Sequence, residues 1–307
     1  GRLGNACGAI VVSRHGCAPA MPTAPELTEF LDRGDLPFRL REDEALAHTH
    51  WATTRRTARD ELTIFAVDHR SQFDDLGEET GSDDTRIGLF KRLAFAALDR
   101  VAARDSSFGI LIDDRYGYEV LSESAGYPYW VGRPIEIPKS RPIEFTGCED
   151  VGLELLSWPA NQVVKCLAFY DAADPEDLRD RQERQLLRVF TACRETGHEF
   201  LLEIIAPSEA AVDEKTTAES IRRLYELGIM PDWWKLDPSA STTAWKNIVD
   251  VVDEHDPLCH GIVLLGLSAP IDELKASFAV AAQFPRVKGF AVGRTIFADA
   301  AEKWLAG

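Results

Sequence analysis

The chain has 307 residues, 45% of them apolar, enough for one large core or two modest ones, so a wholly disordered chain is excluded. Its 51 Asp and Glu outnumber 34 Lys and Arg, a formal net charge of −17. Long-range attraction to nucleic acid or anionic lipid is therefore not expected, and a small anionic substrate needs a local cationic pocket.

The six cysteines (Cys7, Cys17, Cys148, Cys166, Cys193 and Cys259) are scattered, without a C-x-x-C pair, and read as reduced thiols of a cytoplasmic protein. No apolar run approaches the ~18 to 20 residues of a membrane span, and the N-terminus lacks the basic-then-apolar layout of a secretion signal. The chain starts at Gly1 rather than Met, so a fragment, a processed product or a tagged form of a longer chain is expected.

Residues 1–44 are punctuated by Gly and Pro: an apolar stretch from Ala6 to Val12, the break "SRHGCAPAMPTAPEL", a short helical piece near Leu27 to Leu31, and "DRGDLPFRLRED". A polar, charged connector follows around Arg41 to Asp60. From Leu62 onward, short β-branched or aromatic runs alternate with stretches of helical period. The runs are "LTIFAV" (62–67), "FGILID" (108–113), "YWVGRPIEI" (129–137), "VVKCLAFY" (163–170), "FLLEIIA" (200–206), "WWKLD" (233–237), "GIVLLG" (261–266) and "VKGFAVG" (287–293).

Between them, Asp174-Pro175-Glu176 opens a helix that carries Leu178, Leu186, Leu187 and Phe190 and stops at Gly197. A second runs from about Glu214 to Leu227, and a third starts at Ser241. The stretch "RYGYEVLSESAG" after the second strand is too short for a full crossover helix. Eight strands alternating with helices predict an α/β fold, a (β/α)8 barrel over residues 45–307 preceded by the extension 1–44. A doubly wound open sheet is the alternative, but no G-x-G-x-x-G follows the first strand.

In such a barrel the chemistry lies at the C-terminal strand ends. Those ends offer Asp68, His69 and Arg70; Asp113 and Asp114; Glu136 and Lys139; Lys165; Glu203; Lys235 and Asp237; Gly266-Leu267-Ser268; and Gly293-Arg294. Lys165 and Glu203 interrupt apolar strands, where an unpaired charge is costly, so they should face the interior and pair there. Lys235, between Trp234 and Leu236 and near a second lysine, is expected to lose its proton more readily than an ordinary lysine and to act as a nucleophile. The plainer reading is a structural ion-pair network of Lys165, Glu203 and Lys235. Gly266 and Gly293 would expose backbone N–H groups to an anion, and Arg294 would add a guanidinium fork, at the usual phosphate position of barrels. Of the seven histidines only His69 falls at a strand end, so neither a metal site nor a cofactor is expected.

Together, "AVDHR" (66–70), "LIDDRYG" (111–117), "VVKCLAFYD" (163–171), "FLLEIIAP" (200–207), "WWKLD" (233–237) and "GFAVGR" (289–294) resemble class I aldolases of the tagatose-bisphosphate type. Residues 45–307 look more closely like the DUF2090-type aldolase domain fused to 5-dehydro-2-deoxygluconokinase in bacterial inositol catabolism. The segment "GNACGAIVVSRHGCAPAMPT" (4–23) resembles the tail of a ribokinase-like sugar kinase, whose Gly-Ala-Gly-Asp anion hole is not found in this sequence.

The resemblance implies Lys235 as the Schiff-base lysine, with Lys165 and Glu203 beside it in proton transfer and Asp68 orienting hydroxyls or the imine. It implies Ser268, Gly293 and Arg294 as phosphate holders; by their places at strand ends Gly266 joins the phosphate candidates, and His69, whose role stays open, Arg70 and Asp113 are candidate substrate contacts. The expected partner is a phosphorylated sugar acid, with a kinase domain upstream and a homo-oligomer left open. A barrel that only binds a sugar phosphate, as part of such a kinase, is the alternative. His69 stands where the tagatose-type enzymes carry glutamine.

Overall fold

The computed structural model describes residues 1–307 except 35, 38, 56–58, 148–149, 208–211 and 267–269. The chain divides into two compact units, Gly1–Ala58 and Arg59–Gly307.

The first unit holds the helices Arg2–Val11, Ala24–Asp32 and Glu44–Thr54. The last occupies what the sequence pattern presents as a polar connector: Asp43 caps it by accepting a hydrogen bond from Leu46 N at 3.0 Å. Glu26 has no exposed surface and closes a capping box with Thr23. It also pairs with Arg14 and lies 3.0 Å from the His50 ring, so a buried carboxylate ties this unit together.

The second unit is a closed barrel of eight parallel strands in sequence order. They are β1 Leu62–Ala66, β2 Phe108–Leu111, β3 Trp130–Pro134, β4 Gln162–Phe169, β5 Phe200–Ile205, β6 Trp233–Leu236, β7 Gly261–Leu265 and β8 Val287–Val292. This is the (β/α)8 architecture predicted from the alternation, and closure of β1 on β8 removes the open-sheet alternative. Every one of the eight runs becomes a strand, each ending one to three residues before the run does.

The crossover helices follow their end signals. The helix Glu176–Thr196 ends where Gly197 takes φ 76°, and Thr242–His255 begins after Ser241, whose hydroxyl accepts from Ala244 N. After β2 the crossover is a seven-residue helix, Tyr118–Ser124. Five of the six cysteines, all but Cys148, which lies outside the described residues, are free thiols. Among the described residues no helix is long and apolar enough to cross a membrane.

Strand residues alternate between two cores. Val164, Cys166 and Ala168 of β4, Leu202 and Ile204 of β5, and Trp234 and Leu236 of β6 pack outward in the layer of crossover helices. The other face of the same strands, with Leu62, Ile64, Leu111, Trp130, Val163, Leu201, Trp233 and Val263, fills the barrel interior. That apolar plug closes the barrel beneath its C-terminal mouth. The site is built on top of it.

Candidate active site

One step further along the inward face, the side chains change from apolar to charged. Asp68, Glu136, Lys165, Glu203 and Lys235 each stand two residues beyond a buried inward residue: Ala66, Pro134, Val163, Leu201 and Trp233. All five are buried, and all five line a cleft of about 300 Å³ at the C-terminal mouth. Charges at this depth persist only if paired.

Lys165 is the hub of the pairing, with Nζ 3.0 Å from Glu203 Oε2, 3.2 Å from Glu136 Oε1 and 3.4 Å from Asp68 Oδ2. Lys235 Nζ lies 2.9 Å from the other Glu203 oxygen, and the two residues are direct register partners across β5 and β6. Glu136 is held from three sides. Arg70 donates to its carboxylate at 2.9 Å and to its carbonyl at 2.6 Å, and Leu167 N donates to Oε2 at 3.2 Å.

Burial alone would strip the Lys165 ammonium of its proton, but Glu136, Glu203 and Asp68 more than offset it and hold the group above the ordinary lysine range. Burial likewise opposes the charged forms of Asp68 and Glu203. Lys165 and Lys235 outweigh it for both, and hold Asp68 well below and Glu203 below the usual carboxylate range. Asp237, two residues beyond Lys235, has no such support. Burial and the Glu203 charge push its carboxyl up to about 6 against the pull of Lys235, and its buried Oδ1 has no hydrogen-bond partner among the described residues.

A family described as "Uncharacterized protein conserved in bacteria (DUF2090)" matches residues 26–307. The chain belongs to the DUF2090 family. Its fold is similar to that of the fructose-bisphosphate aldolase from Plasmodium falciparum, at 14% identity and a TM-score of 0.60, with 89% of each chain covered. It is similar to the fructose-bisphosphate aldolase from Slackia heliotrinireducens at 16% identity and a TM-score of 0.51, covering 89% of this chain and 87% of that one. It is also similar to a Schiff base forming fructose-1,6-bisphosphate aldolase at 14% identity and a TM-score of 0.52, covering 80% and 92%. No curated protein matches the chain.

At the β8 side of the DUF2090 cleft, Gly293, Arg294 and Thr295 open the helix Arg294–Ala306, so the positive end of a 13-residue helix faces the cavity. Gly293 is required by close approach. A Cβ there would run into the Ala66 carbonyl and the His69 ring, because the end of β8 presses on the end of β1. Burial pushes the His69 imidazole down to about 4, and Arg294, Lys235 and Lys91 act the same way against the attraction of Asp68. His69 is therefore neutral at physiological pH. Its Nδ1 is buried without a hydrogen-bond partner among the described residues, and its ring meets Phe297 edge-on at 5.4 Å.

The cleft thus collects most of the residues singled out from sequence: Asp68, His69, Arg70, Lys165, Glu203, Lys235, Gly266, Gly293 and Arg294. Ser268 lies outside the described residues. Asp113, expected as a substrate contact, does not line the cleft. β2 ends at Leu111, so the alternation that would turn Asp113 inward stops before it. The carboxylate instead pairs with Lys91 and accepts a hydrogen bond from Tyr116 N at 2.8 Å, with no exposed surface.

Lys91, also fully buried, donates to the His69 carbonyl at 3.0 Å and thereby braces the loop that carries Asp68, His69 and Arg70. Neither Lys91 nor the role of Glu136 is assigned by the sequence pattern. For Glu136 the signal was available, since continuing the alternation of Trp130, Gly132 and Pro134 turns it inward. Among the described residues five cations line the cleft (Arg70, Lys139, Lys165, Lys235 and Arg294) against three carboxylates, Asp68, Glu136 and Glu203. In a chain of net charge −17 this is a local excess of positive charge.

Proposed function

We propose that this barrel is a class I aldolase in which Lys235 forms a Schiff base with the ketone of a phosphorylated sugar acid. The observation that carries the reading is the inequality of the two cleft lysines. Among the described residues Lys165 meets three carboxylates, whereas Lys235 meets one and shares it. Lys165 is thereby a fixed cation. Lys235 Nζ stands at the mouth of an open cleft, 2.9 Å from a Glu203 oxygen that is placed to receive its proton as it attacks the ketone. The likeness of fold to proteins named as aldolases supports the same reading.

The substrate we infer is 2-deoxy-5-keto-D-gluconate 6-phosphate, an intermediate of myo-inositol catabolism. The cationic excess of the cleft, the helix end at Arg294 and the resemblance carried by "AVDHR", "WWKLD" and "GFAVGR" support it. The amine of Lys235 adds to the C5 carbonyl, and the proton it gave to Glu203 goes to the carbinolamine hydroxyl, which leaves as water; an iminium remains and Glu203 is again a carboxylate. Glu203 takes the C3 hydroxyl proton, the C3–C4 electron pair flows into the iminium as an enamine, and C3 leaves as the aldehyde of malonate semialdehyde. The proton on Glu203 is delivered to C4, and water releases dihydroxyacetone phosphate and restores the amine. Asp68 stays ionised and accepts hydrogen bonds from substrate hydroxyls, while Lys165 stabilises the charge that builds on the departing oxygen.

Borohydride reduction in the presence of dihydroxyacetone phosphate should add the mass of the reduced adduct to the peptide that carries Lys235. Lys235→Met should acquire no adduct and cleave the substrate at background rate. An unmodified wild-type enzyme, or cleavage retained by the variant, would refute the Schiff-base mechanism.

A further inference from the structure

Beyond β3 the chain makes a short antiparallel excursion before its crossover. Glu136 bridges Phe145, Ile137 N donates to the Glu144 carbonyl at 2.7 Å, and Thr146 N donates to the Ile135 carbonyl at 2.9 Å. At the tip, Ser140 N donates to the Ile137 carbonyl at 3.2 Å, which closes a four-residue turn with Pro138 second and Lys139 third. Proline fixes its own φ near about −65°, whereas Lys139 has φ 65°. A negative then a positive φ is a type II turn, whose third residue is ordinarily glycine or asparagine because a side chain there crowds the backbone. A lysine in that position is an outlier, and such outliers gather at ligand sites where the side chain is used.

The excursion is anchored at its base, where Glu136 is fixed by Arg70 and Lys165, and it carries an exposed Lys139 that still lines the cleft. Of the five cleft cations, Arg70, Lys165 and Lys235 are committed to carboxylates. Among the described residues Lys139 and Arg294 have no carboxylate partner. They also stand apart, since β8 and β3 are three steps round the closed ring of eight strands. A cleft with an uncommitted cation on each of two sides fits a ligand with an anion at each end.

Resting on the aldolase reading for the direction of the substrate, we propose that Lys139 is the specificity residue for its second anionic end. In this arrangement Arg294 holds the phosphate next to the ketone, and Lys139 meets the carboxylate or phosphate that terminates the aldehyde-forming fragment. That contact is remote from the breaking bond and equal in ground and transition states, so it acts on binding and selectivity rather than on the chemical step.

The test is calorimetric titration with 6-phosphogluconate, glucitol 1,6-bisphosphate and glucitol 6-phosphate. None has a ketone, so the result is independent of Schiff-base formation and fails separately from the Lys235→Met experiment. The wild type should prefer a doubly anionic ligand over glucitol 6-phosphate by about 10-fold, the size of one charge-assisted hydrogen bond. The stronger of the two doubly anionic ligands tells carboxylate from phosphate. Lys139→Gly should erase the preference without changing the Kd for glucitol 6-phosphate, and Lys139→Arg should keep it. Because glycine is the residue the turn favours, Lys139→Gly should melt at or above the wild-type Tm, so its loss of selectivity does not come from unfolding. A wild type without preference, or a preference that survives in Lys139→Gly, would overturn the assignment.

Discussion

Two residues along the same inward face separate Val163, Leu201 and Trp233 from Lys165, Glu203 and Lys235, and the two layers do opposite work. The lower layer is dry and interchangeable in kind: its side chains fill volume, and its contribution follows the apolar area removed from water. The upper layer makes almost no apolar contribution and depends on identity, since each charge there is tolerable only through its neighbour. The contrast teaches that stability and chemistry are stacked along the barrel axis on the same strands. A substitution should therefore declare which layer it belongs to.

The largest effect expected from this contrast is Glu203→Gln. The change is isosteric, but it removes the proton acceptor 2.9 Å from Lys235. Loss of a general acid–base group should lower kcat about 10²- to 10⁴-fold. Lys165 keeps Glu136 and Asp68, so the fold should hold, and a circular dichroism melt alongside the kinetics would check that. The mirror experiment is Leu201→Ala, one step lower on the same strand and fully buried. It should cost about 2–5 kcal/mol in urea unfolding while kcat, measured below the melting transition, stays within a few-fold of wild type. Equal kinetic damage from both variants would dissolve the distinction between the layers.

The layers differ in how well the sequence announces them. A charge inside an otherwise apolar run is a strong signal, and Lys165, Glu203 and Lys235 are legible because β4, β5 and β6 carry the alternation through them. Asp113 is misplaced by the same rule, because β2 stops two residues short and nothing local marks where pairing with β3 ends. Lys91 is invisible for a different reason. On the helix Asp84–Ala102 it is one charged residue among several, and only packing under the β1 loop, with Phe73 and Tyr116 against its ammonium, makes it buried. Lys139 is written in Ile-Pro-Lys-Ser, but those four residues do not announce its positive φ, which belongs to a turn closed beyond them by the bridge of Glu136 to Phe145. The helix Glu44–Thr54 falls in a stretch whose polar composition lacks an apolar stripe, so its period does not stand out.

The smallest expected effect concerns His69, which belongs to the rim of the upper layer but is neutral. An unfolded imidazole titrates near 6.5, whereas in the folded chain burial and the surrounding cations bring it down to about 4. Between those values the unfolded chain binds a proton that the folded chain does not, so stability drains away as pH falls from about 6.5 to about 4 and levels off below. Asp68 adds a loss of the same sign only in the lower part of this window, below about pH 5, where an ordinary carboxylate starts to take up a proton. Asp237 works the other way: with its carboxyl raised to about 6 from 3.8, the folded chain gains the proton first and is stabilised as pH falls. Both groups are present in wild type and in His69→Gln, so the difference between the two melting curves isolates the imidazole. Wild type should lose about 5–10 °C more in Tm than His69→Gln across that interval. Parallel curves would mean that His69 is protonated in the fold, and the charged layer would then extend one residue further along β1 than its ion pairs suggest.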